Sequence, residues 1–205
     1  MGTPAEAPRP RDSPAAQSAA HATIESRPAR KPAKPALHSM VMHRKINVLF
    51  VSRRNTLRSV MAQACLTHIA ENRFHARSCG QPLRVGAAVD PAAVSALRTA
   101  GIPLPDIKPR GWNEFVPARG FEAEFVIALD ADIDRLQPAW PGQPHTALWA
   151  YPDTAAIADP EEAAHKALQT LYSMRRRLEL LASLPLYGSD RESVRADIRD
   201  LGYMA

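Results

Sequence analysis

The chain is poor in cysteine, with only Cys65 and Cys79 among its 205 residues. Two thiols do not make a disulfide framework or a zinc cluster, and their scarcity is typical of a reducing compartment. No stretch approaches the roughly 18 consecutive apolar residues of a membrane span, and the amino terminus lacks the apolar core of a secretory signal. We therefore expect a soluble, cytoplasmic protein with no metal, no cofactor and no membrane partner.

The chain also lacks a strong excess of either charge. Its formal net charge is +5, and part of this excess lies in the amino-terminal stretch. Such modest basicity is weak evidence for nucleic acid binding, so we expect no nucleic acid partner. The sequence does not indicate a particular oligomeric state.

Residues 1–44 contain seven of the nineteen prolines and show no helical or strand period. This composition predicts a disordered Pro- and Ala-rich extension. It also fits a transit peptide, or a start assigned too far upstream, since Met40 and Met42 precede the first strand. The remainder predicts one folded domain over 45–184 and a tail over 185–205, where Ser189 and Glu192 form a capping box for a short helix.

Short apolar runs alternate with helical periodicity through the body of the chain. The runs predict four buried parallel strands at Ile46–Val51, Phe74–Ser78, Phe125–Leu129 and Ala147–Tyr151. Helical spacing predicts helices from Arg58 to about Asn72, over Pro91–Ala100 after the N-cap Asp90, and from Pro160 after the N-cap Asp159. This alternation predicts a three-layer α/β fold, a parallel sheet with helices on both faces.

The long third helix has a predicted apolar face and a charge run. The face consists of Ala167, Leu171, Met174, Leu178 and Leu181. Arg175, Arg176 and Arg177 fall mostly off that face, and such runs are usually solvated surface. We attach no function to them.

The most informative stretch is Val48–Ser59, VLFVSRRNTLRS, in which an apolar strand breaks into an arginine-rich loop and then a helix. Backbone N–H groups converge where such a loop meets a helix, and the helix dipole adds to their pull on an anion. The Ser52–Ser59 loop is therefore predicted to bind an oxyanion.

Folding of a parallel sheet gathers the carboxyl ends of its strands along one edge, where ligands bind. The residues just past those ends are the Ser52–Ser59 loop, Ser78, Asp130 and Asp153. An oxyanion site beside a carboxylic acid suggests phosphoryl-transfer chemistry, with Arg58 as a bidentate clamp and Asp153 as the acid. Asp130 has an equal claim to a purely structural role as the cap of the following turn.

The sequence Val48–Ala62 resembles the loop of low-molecular-weight protein tyrosine phosphatases and of thioredoxin-linked arsenate reductases. The family pattern is cysteine, two residues, asparagine, two residues, arginine and serine. The agreement covers roughly residues 46–184 and lies in these positions: Asn55, Arg58 and Ser59, Ser78 with Gly80, the ALD of Ala128–Asp130 and the W-x-x-P-D of Trp149–Asp153.

The resemblance implies a four-stranded sheet in the order 2-1-3-4 and a role for each matching residue. Arg58 would bind phosphoryl oxygens, Asn55 would hold the strained loop, and Asp153 would be the general acid. Ser59 would hydrogen-bond the nucleophile. The remaining supporting positions are Arg53, Arg54, Thr56, Leu57 and Ser78.

The sequence departs from the family at the nucleophile, where Ser52 stands in place of cysteine. A cysteine beside a helix start and an arginine ionises with a pKa of roughly 3.5–7.5. A serine needs an adjacent general base instead, and the loop offers none; His68 and His75 are not placed to help. We therefore expect a catalytically impaired module that binds phosphate or a phosphorylated ligand, such as a phosphotyrosine protein.

Three other readings remain open. The chain is an active phosphatase if Ser52 or Asp153 acts in an unusual way, or if a natural cysteine was replaced to trap substrate. It is a basic adaptor if its tails bind a partner. Arsenate reduction has less support, because it needs further cysteines to relay a disulfide and the equivalent stretch, residues 129–138, contains none. Leu57 stands where some family members carry a second thiol, and Cys79 is interpreted as a buried thiol.

Further departures concern the surroundings of the loop. Thr154 follows Asp153 where the family prefers proline, and Asp106 lies near a histidine position of some phosphatases. For the aromatic walls of a phosphotyrosine pocket, the sequence offers Trp112 and Tyr151.

Overall fold

A computed structural model describes residues 44–117, 120–188 and 190–204; the predicted extension before residue 44 lies outside these ranges. The strands are β1 (Ile46–Ser52), β2 (Phe74–Gly80), β3 (Phe125–Ala128) and β4 (His145–Leu148). The helices are α1 (Arg58–Ala70), α2 (Pro91–Thr99), α3 (Ala131–Leu136), α4 (Pro160–Ser183) and α5 (Arg191–Leu201). Within the described ranges, no helix is long and apolar enough to cross a membrane.

The four strands form one parallel sheet in the order β2-β1-β3-β4. Ser52 at the end of β1 pairs with Gly80 at the end of β2, and Val51 pairs with Ala128 at the end of β3. The predicted fold class and strand order are confirmed. The carboxyl ends of the central strands therefore meet at one edge of the sheet, as predicted from the sequence.

The side chains of β1 alternate between two apolar clusters, one on each face of the sheet. Val48 and Phe50 belong to the larger cluster, to which α1, α2, α4 and α5 contribute. Leu49 and Val51 belong to the smaller one, which includes Ile133 of α3. Because both faces of β1 are covered, its sequence is almost continuously apolar.

Two helix starts agree with their predicted caps. The Asp90 carboxylate accepts a hydrogen bond from the Ala92 N–H at 2.8 Å, and that of Asp159 accepts one from the Glu162 N–H at 2.8 Å. The predicted apolar face of α4 is buried throughout. Capping residues and helical spacing were therefore sufficient to predict where α2 and α4 begin and which face of α4 is buried.

Other boundaries were predicted wrongly. The strand β4 starts two residues before the predicted Ala147 and ends at Leu148, although the N–H groups of Trp149 and Tyr151 still donate to the carbonyl oxygens of Ala128 and Leu129. Helix α3 was missed, since its six residues bury only Ile133 and so show no period. The proposed capping box is also wrong: Asp190 caps α5 and accepts from the Ser193 N–H at 3.1 Å, while Ser189 lies outside the described residues.

Arg177 was expected on a solvated face of α4 but is buried. Its guanidinium lies 4.7 Å from the centre of the Tyr151 ring and donates a hydrogen bond to the Met204 carbonyl oxygen. The nearby Trp149 indole donates to the Ile198 carbonyl oxygen of α5 at 2.9 Å. The C-terminal helix thus packs against the segment that leads from β4 to Asp153.

Candidate functional site

The Ser52–Ser59 loop joins β1 to α1 at the carboxyl edge of the sheet. Most of the loop is buried; Arg53 is half-buried and Arg54 is exposed. Helix α1 begins after Leu57 with no side-chain cap and no acidic residue in its first turn. No side-chain cap therefore accepts hydrogen bonds from the first N–H groups of α1, and no carboxylate of the first turn offsets the positive end of the helix dipole. Such a helix start favours an anionic ligand.

Asn55 holds the loop in an unusual backbone conformation, with φ at 54°. Asparagine tolerates this left-handed region better than most residues. Its side-chain amide donates to Ser59 Oγ and to Ser78 Oγ, both at 2.9 Å, and its Oδ1 accepts from the Arg110 N–H at 3.0 Å. One buried side chain thereby ties the loop to α1, to β2 and to the segment before Trp112.

The serines around Asn55 form a buried hydrogen-bonded chain. Ser52 Oγ lies 2.7 Å from Ser59 Oγ, and Ser78 Oγ donates to Gln63 Oε1 at 2.7 Å. The role of Gln63 was missed, although a polar residue among the core positions of α1 was a visible signal. The chain fixes the position of the Ser52 hydroxyl but contains no group that is a strong base.

Neighbouring segments hold the loop from outside. The carbonyl oxygens of Arg53 and Arg54 accept from the N–H groups of Gln81 at 3.1 Å and Gly86 at 3.0 Å. A Cβ at Gly80 would lie 3.0 Å from the Arg54 carbonyl carbon and the Asn55 nitrogen. The end of β2 therefore approaches the loop so closely that only glycine fits without displacement.

Arg58 lies at the centre of the charged groups and is only 4% exposed. Its Nη1 is 2.6 Å from Asp130 Oδ1 and donates to the Tyr151 carbonyl oxygen at 2.8 Å. Asp130 also accepts from the Arg53 N–H at 3.0 Å, and it makes no side-chain cap to α3. The capping role considered for Asp130 is therefore wrong; this carboxylate anchors the arginine and the loop.

Asp153 faces the loop from the segment after β4. Its Oδ2 lies 3.4 Å from Arg58 Nη2 and 3.8 Å from Arg53 Nη1, and its Oδ1 accepts from the Ala155 N–H at 3.1 Å. The small pocket between these groups is lined by Ser52, Arg53, Arg54, Thr56, Leu57, Arg58, Asp153 and Ala155. The structure thus brings the predicted acid and the predicted loop to one pocket.

Chemically, this pocket combines three guanidinium groups, a helix start and one carboxylate. Its lining residues include no histidine and no cysteine. Among the described residues, no group of three or more His, Cys, Asp or Glu side chains is placed to hold a metal ion. The arrangement suits an oxyanion held by arginine and backbone N–H groups.

Comparison with known families gives a match over residues 47–182 to the model of Low molecular weight phosphotyrosine protein phosphatase. The match covers more than half of the chain and includes the whole pocket. The chain belongs to this phosphatase family. No individual curated protein sequence matches it significantly.

Solved structures share the family fold at low sequence identity. The tyrosine phosphatase Wzb from Escherichia coli K30, in complex with sulphate, is 14% identical with a TM-score of 0.53, covering 67% of this chain and 99% of its own. The low-molecular-weight protein tyrosine phosphatase from T. tengcongensis is 21% identical, with a TM-score of 0.51 and coverages of 68% and 100%. An arsenate reductase in the phosphate binding state is 23% identical, with a TM-score of 0.54 and coverages of 67% and 97%.

The two aromatic walls suggested for this family member are not at the pocket. Trp112 packs against the smaller apolar cluster. The Tyr151 ring is buried against Arg177, and its burial raises the pKa of the phenol to about 12. Both predictions were wrong because the two rings pack against the apolar core. Tyr151 contributes its carbonyl oxygen to the site, where it accepts from Arg58.

The two thiols and His75 of this phosphatase-family chain are not among the described residues that line the pocket. Cys65 and Cys79 are free and fully buried. Burial raises the pKa of the Cys65 thiol to about 11 and that of Cys79 well above its ordinary value. Burial beside Arg77 and Lys45 lowers the pKa of His75. None of these groups is among the pocket-lining residues, so none is placed to activate Ser52.

Two substitutions at Asn55 are expected to separate its backbone and side-chain roles. Asn55→Gly keeps access to positive φ but loses the three side-chain hydrogen bonds, at a cost of about 1–3 kcal/mol. Asn55→Ala should cost about 1 kcal/mol more, because alanine is strained in the left-handed region. Urea unfolding measures both; equal stability of the two variants would contradict a strained Asn55 backbone.

Proposed function

We propose that this family member binds phosphate or a phosphorylated ligand in the Ser52–Ser59 loop and is catalytically impaired. The observation that carries the proposal is the composition of the pocket. Arg58 and the uncapped start of α1 supply anion recognition, whereas Ser52 has only the Ser59 hydroxyl as its side-chain partner, at 2.7 Å. A serine hydroxyl without a base is a poor nucleophile.

The family comparisons support the ligand class. One solved relative carries sulphate and another is in a phosphate-binding state. Guanidinium groups and backbone N–H groups, both present around the pocket, are donors that commonly bind tetrahedral oxyanions of this kind. We extend the proposed ligand to phosphotyrosine in a protein, as the family description suggests.

An active phosphatase is the second candidate, and the position of Asp153 favours it. Its carboxylate lies within 3.4 Å of Arg58, at the mouth of the pocket where a leaving group would need a proton. Arsenate reductase activity has less support despite the arsenate reductase relative, because helix α3 carries no thiol and both cysteines are buried. The cytoplasm remains the proposed location, supported by these two free thiols.

Phosphate is expected to stabilise the native chain against heat. Binding at one hundred times Kd adds about 2.7 kcal/mol, which corresponds to a rise in Tm of about 5–10 °C for a chain of this size. The double variant Arg58→Met with Asp130→Asn removes the arginine without leaving a buried carboxylate unpaired, and it should lose the shift. Differential scanning calorimetry with phosphate, and with chloride at equal ionic strength, measures the effect. An absent shift in the native chain at 10 mM phosphate would contradict the proposal.

A further inference from the structure

A second, open groove adjoins the pocket on the side of α3. It is lined by Arg53, Gln81, Arg84, Asp132, Arg135 and Leu136, together with Ile133. Three arginines against one carboxylate give this groove a positive character. Apart from Arg53, these residues belong neither to the Ser52–Ser59 loop nor to the lining of the smaller pocket.

We propose that this groove is a second anion subsite, which binds an acidic side chain next to the phosphorylated residue of a peptide ligand. The proposal rests on the proposed function, because the phosphoryl group would occupy the Ser52–Ser59 loop. It goes beyond that function by naming the sequence context of the ligand.

Arg53 connects the two sites physically. Its guanidinium lies 3.8 Å from Asp153 Oδ2 on the pocket side and 3.2 Å from Asp132 Oδ2 on the groove side. The Asp132 side chain is 75% exposed, so its pair with Arg53 is weak in water. An incoming carboxylate therefore competes with Asp132 for Arg53 at little cost.

Backbone hydrogen bonds join the Ser52–Ser59 loop to the segment that carries Arg84. The Gln81 N–H donates to the Arg53 carbonyl oxygen at 3.1 Å, and the Arg84 N–H donates to the Gln81 carbonyl oxygen at 2.8 Å. The latter bond closes the short 3-10 turn Pro82–Arg84. Arg84 is thus held on a rigid segment, which lowers the ordering cost of binding a ligand with two anionic groups.

The lip of the groove favours a peptide over a nucleic acid. Leu136 in the lining is 54% exposed, and Leu83, next to Arg84 in the chain, is 94% exposed, so both leave apolar surface open to a peptide side chain. None of the described residues that line the groove is aromatic. A groove for single-stranded nucleic acid commonly has aromatic side chains for base stacking.

Two fluorescent peptides test the proposal with the native full-length chain. Both contain one phosphotyrosine; one has glutamates on either side of it and the other has glutamines at the same positions. We expect the glutamate peptide to bind about fivefold to tenfold more tightly at low salt, from two or three exposed ion pairs. Raising the salt should reduce this preference, since exposed pairs are screened.

The matched variants, each of which removes two positive charges, are Arg84→Gln with Arg135→Gln in the groove and Arg191→Gln with Arg195→Gln as the control. Both control residues lie on α5 near His145, whose pKa they help to lower, at the opposite edge of the sheet. The groove variant should bind the two peptides with equal affinity. The control variant should keep the preference for the glutamate peptide. Anisotropy titrations measure all four affinities.

Equal affinity of the native chain for both peptides, or a preference that survives in the groove variant, would overturn the subsite. Displacement of the glutamate peptide by a single-stranded oligonucleotide at lower concentration than by the unlabelled glutamate peptide would overturn the choice of a peptide. If neither peptide binds while phosphate still raises Tm, the subsite alone would be overturned. Failure of both peptides and of phosphate would overturn the proposed function as well.

Discussion

Replacing Ser52 by cysteine is expected to raise the hydrolysis of an aryl phosphate at least about a thousandfold above the native chain. A sulfur at this position would lie at the start of α1, where Ser52 Oγ now lies 2.7 Å from Ser59 Oγ. A cysteine at a helix start beside an arginine is largely thiolate at neutral pH. The native hydroxyl has no base within its hydrogen-bonded chain.

The role of Asp153 can be measured in the same background. Asp153→Asn added to Ser52→Cys should lower kcat about a hundredfold or more for a poor leaving group, because the acid is lost. The same substitution should lower kcat much less for a leaving group that needs no proton. Turnover by the native chain within about tenfold of Ser52→Cys would contradict the proposed impairment. An inactive but folded Ser52→Cys variant would show that the pocket does not support the chemistry.

Arg58→Met is expected to destabilise the fold by about 3–5 kcal/mol, because it leaves Asp130 buried without its cation. The two side chains are 4% and 7% exposed, and their closest atoms are 2.6 Å apart. Adding Asp130→Asn should recover much of the loss, since the uncompensated charge is then gone. Urea unfolding of the two single variants and the double variant gives the coupling free energy.

The pair Arg175 and Glu179 on α4 provides a matched control. These exposed side chains lie one helical turn apart with 2.9 Å between Arg175 Nε and Glu179 Oε1. A surface pair of this kind is worth about 0.3–0.5 kcal/mol. Strictly additive effects of Arg58→Met and Asp130→Asn, or a coupling as small as that of the control pair, would contradict the anchoring role of Asp130.

The sequence was informative wherever the signal is local. The continuous apolar run of β1, the caps Asp90 and Asp159 and the polar loop between Ser52 and Ser59 each follow from neighbouring residues. They were enough to predict the sheet and the edge at which the pocket lies. The spacing of Asn55, Arg58 and Ser59 then indicated the phosphatase family.

The partners of these residues were not predictable in the same way. Asp130 contacts Arg58 from a position 72 residues away, and only the strand pairing of β1 with β3 brings them together. Arg177 was misjudged because helical spacing gives the direction of a side chain but not the neighbour that covers it. Tyr151 was misjudged for a related reason, since it contributes its carbonyl oxygen to the site and its ring to the core.

The most direct test of the central claim is phosphorus NMR of the native chain mixed with a phosphotyrosine peptide. We predict that the peptide resonance shifts or broadens on binding and then persists for hours, with little inorganic phosphate released. The Ser52→Cys variant should convert the same peptide within minutes. Rapid release of phosphate by the native chain, or a peptide resonance that the native chain leaves unaltered, would contradict the account.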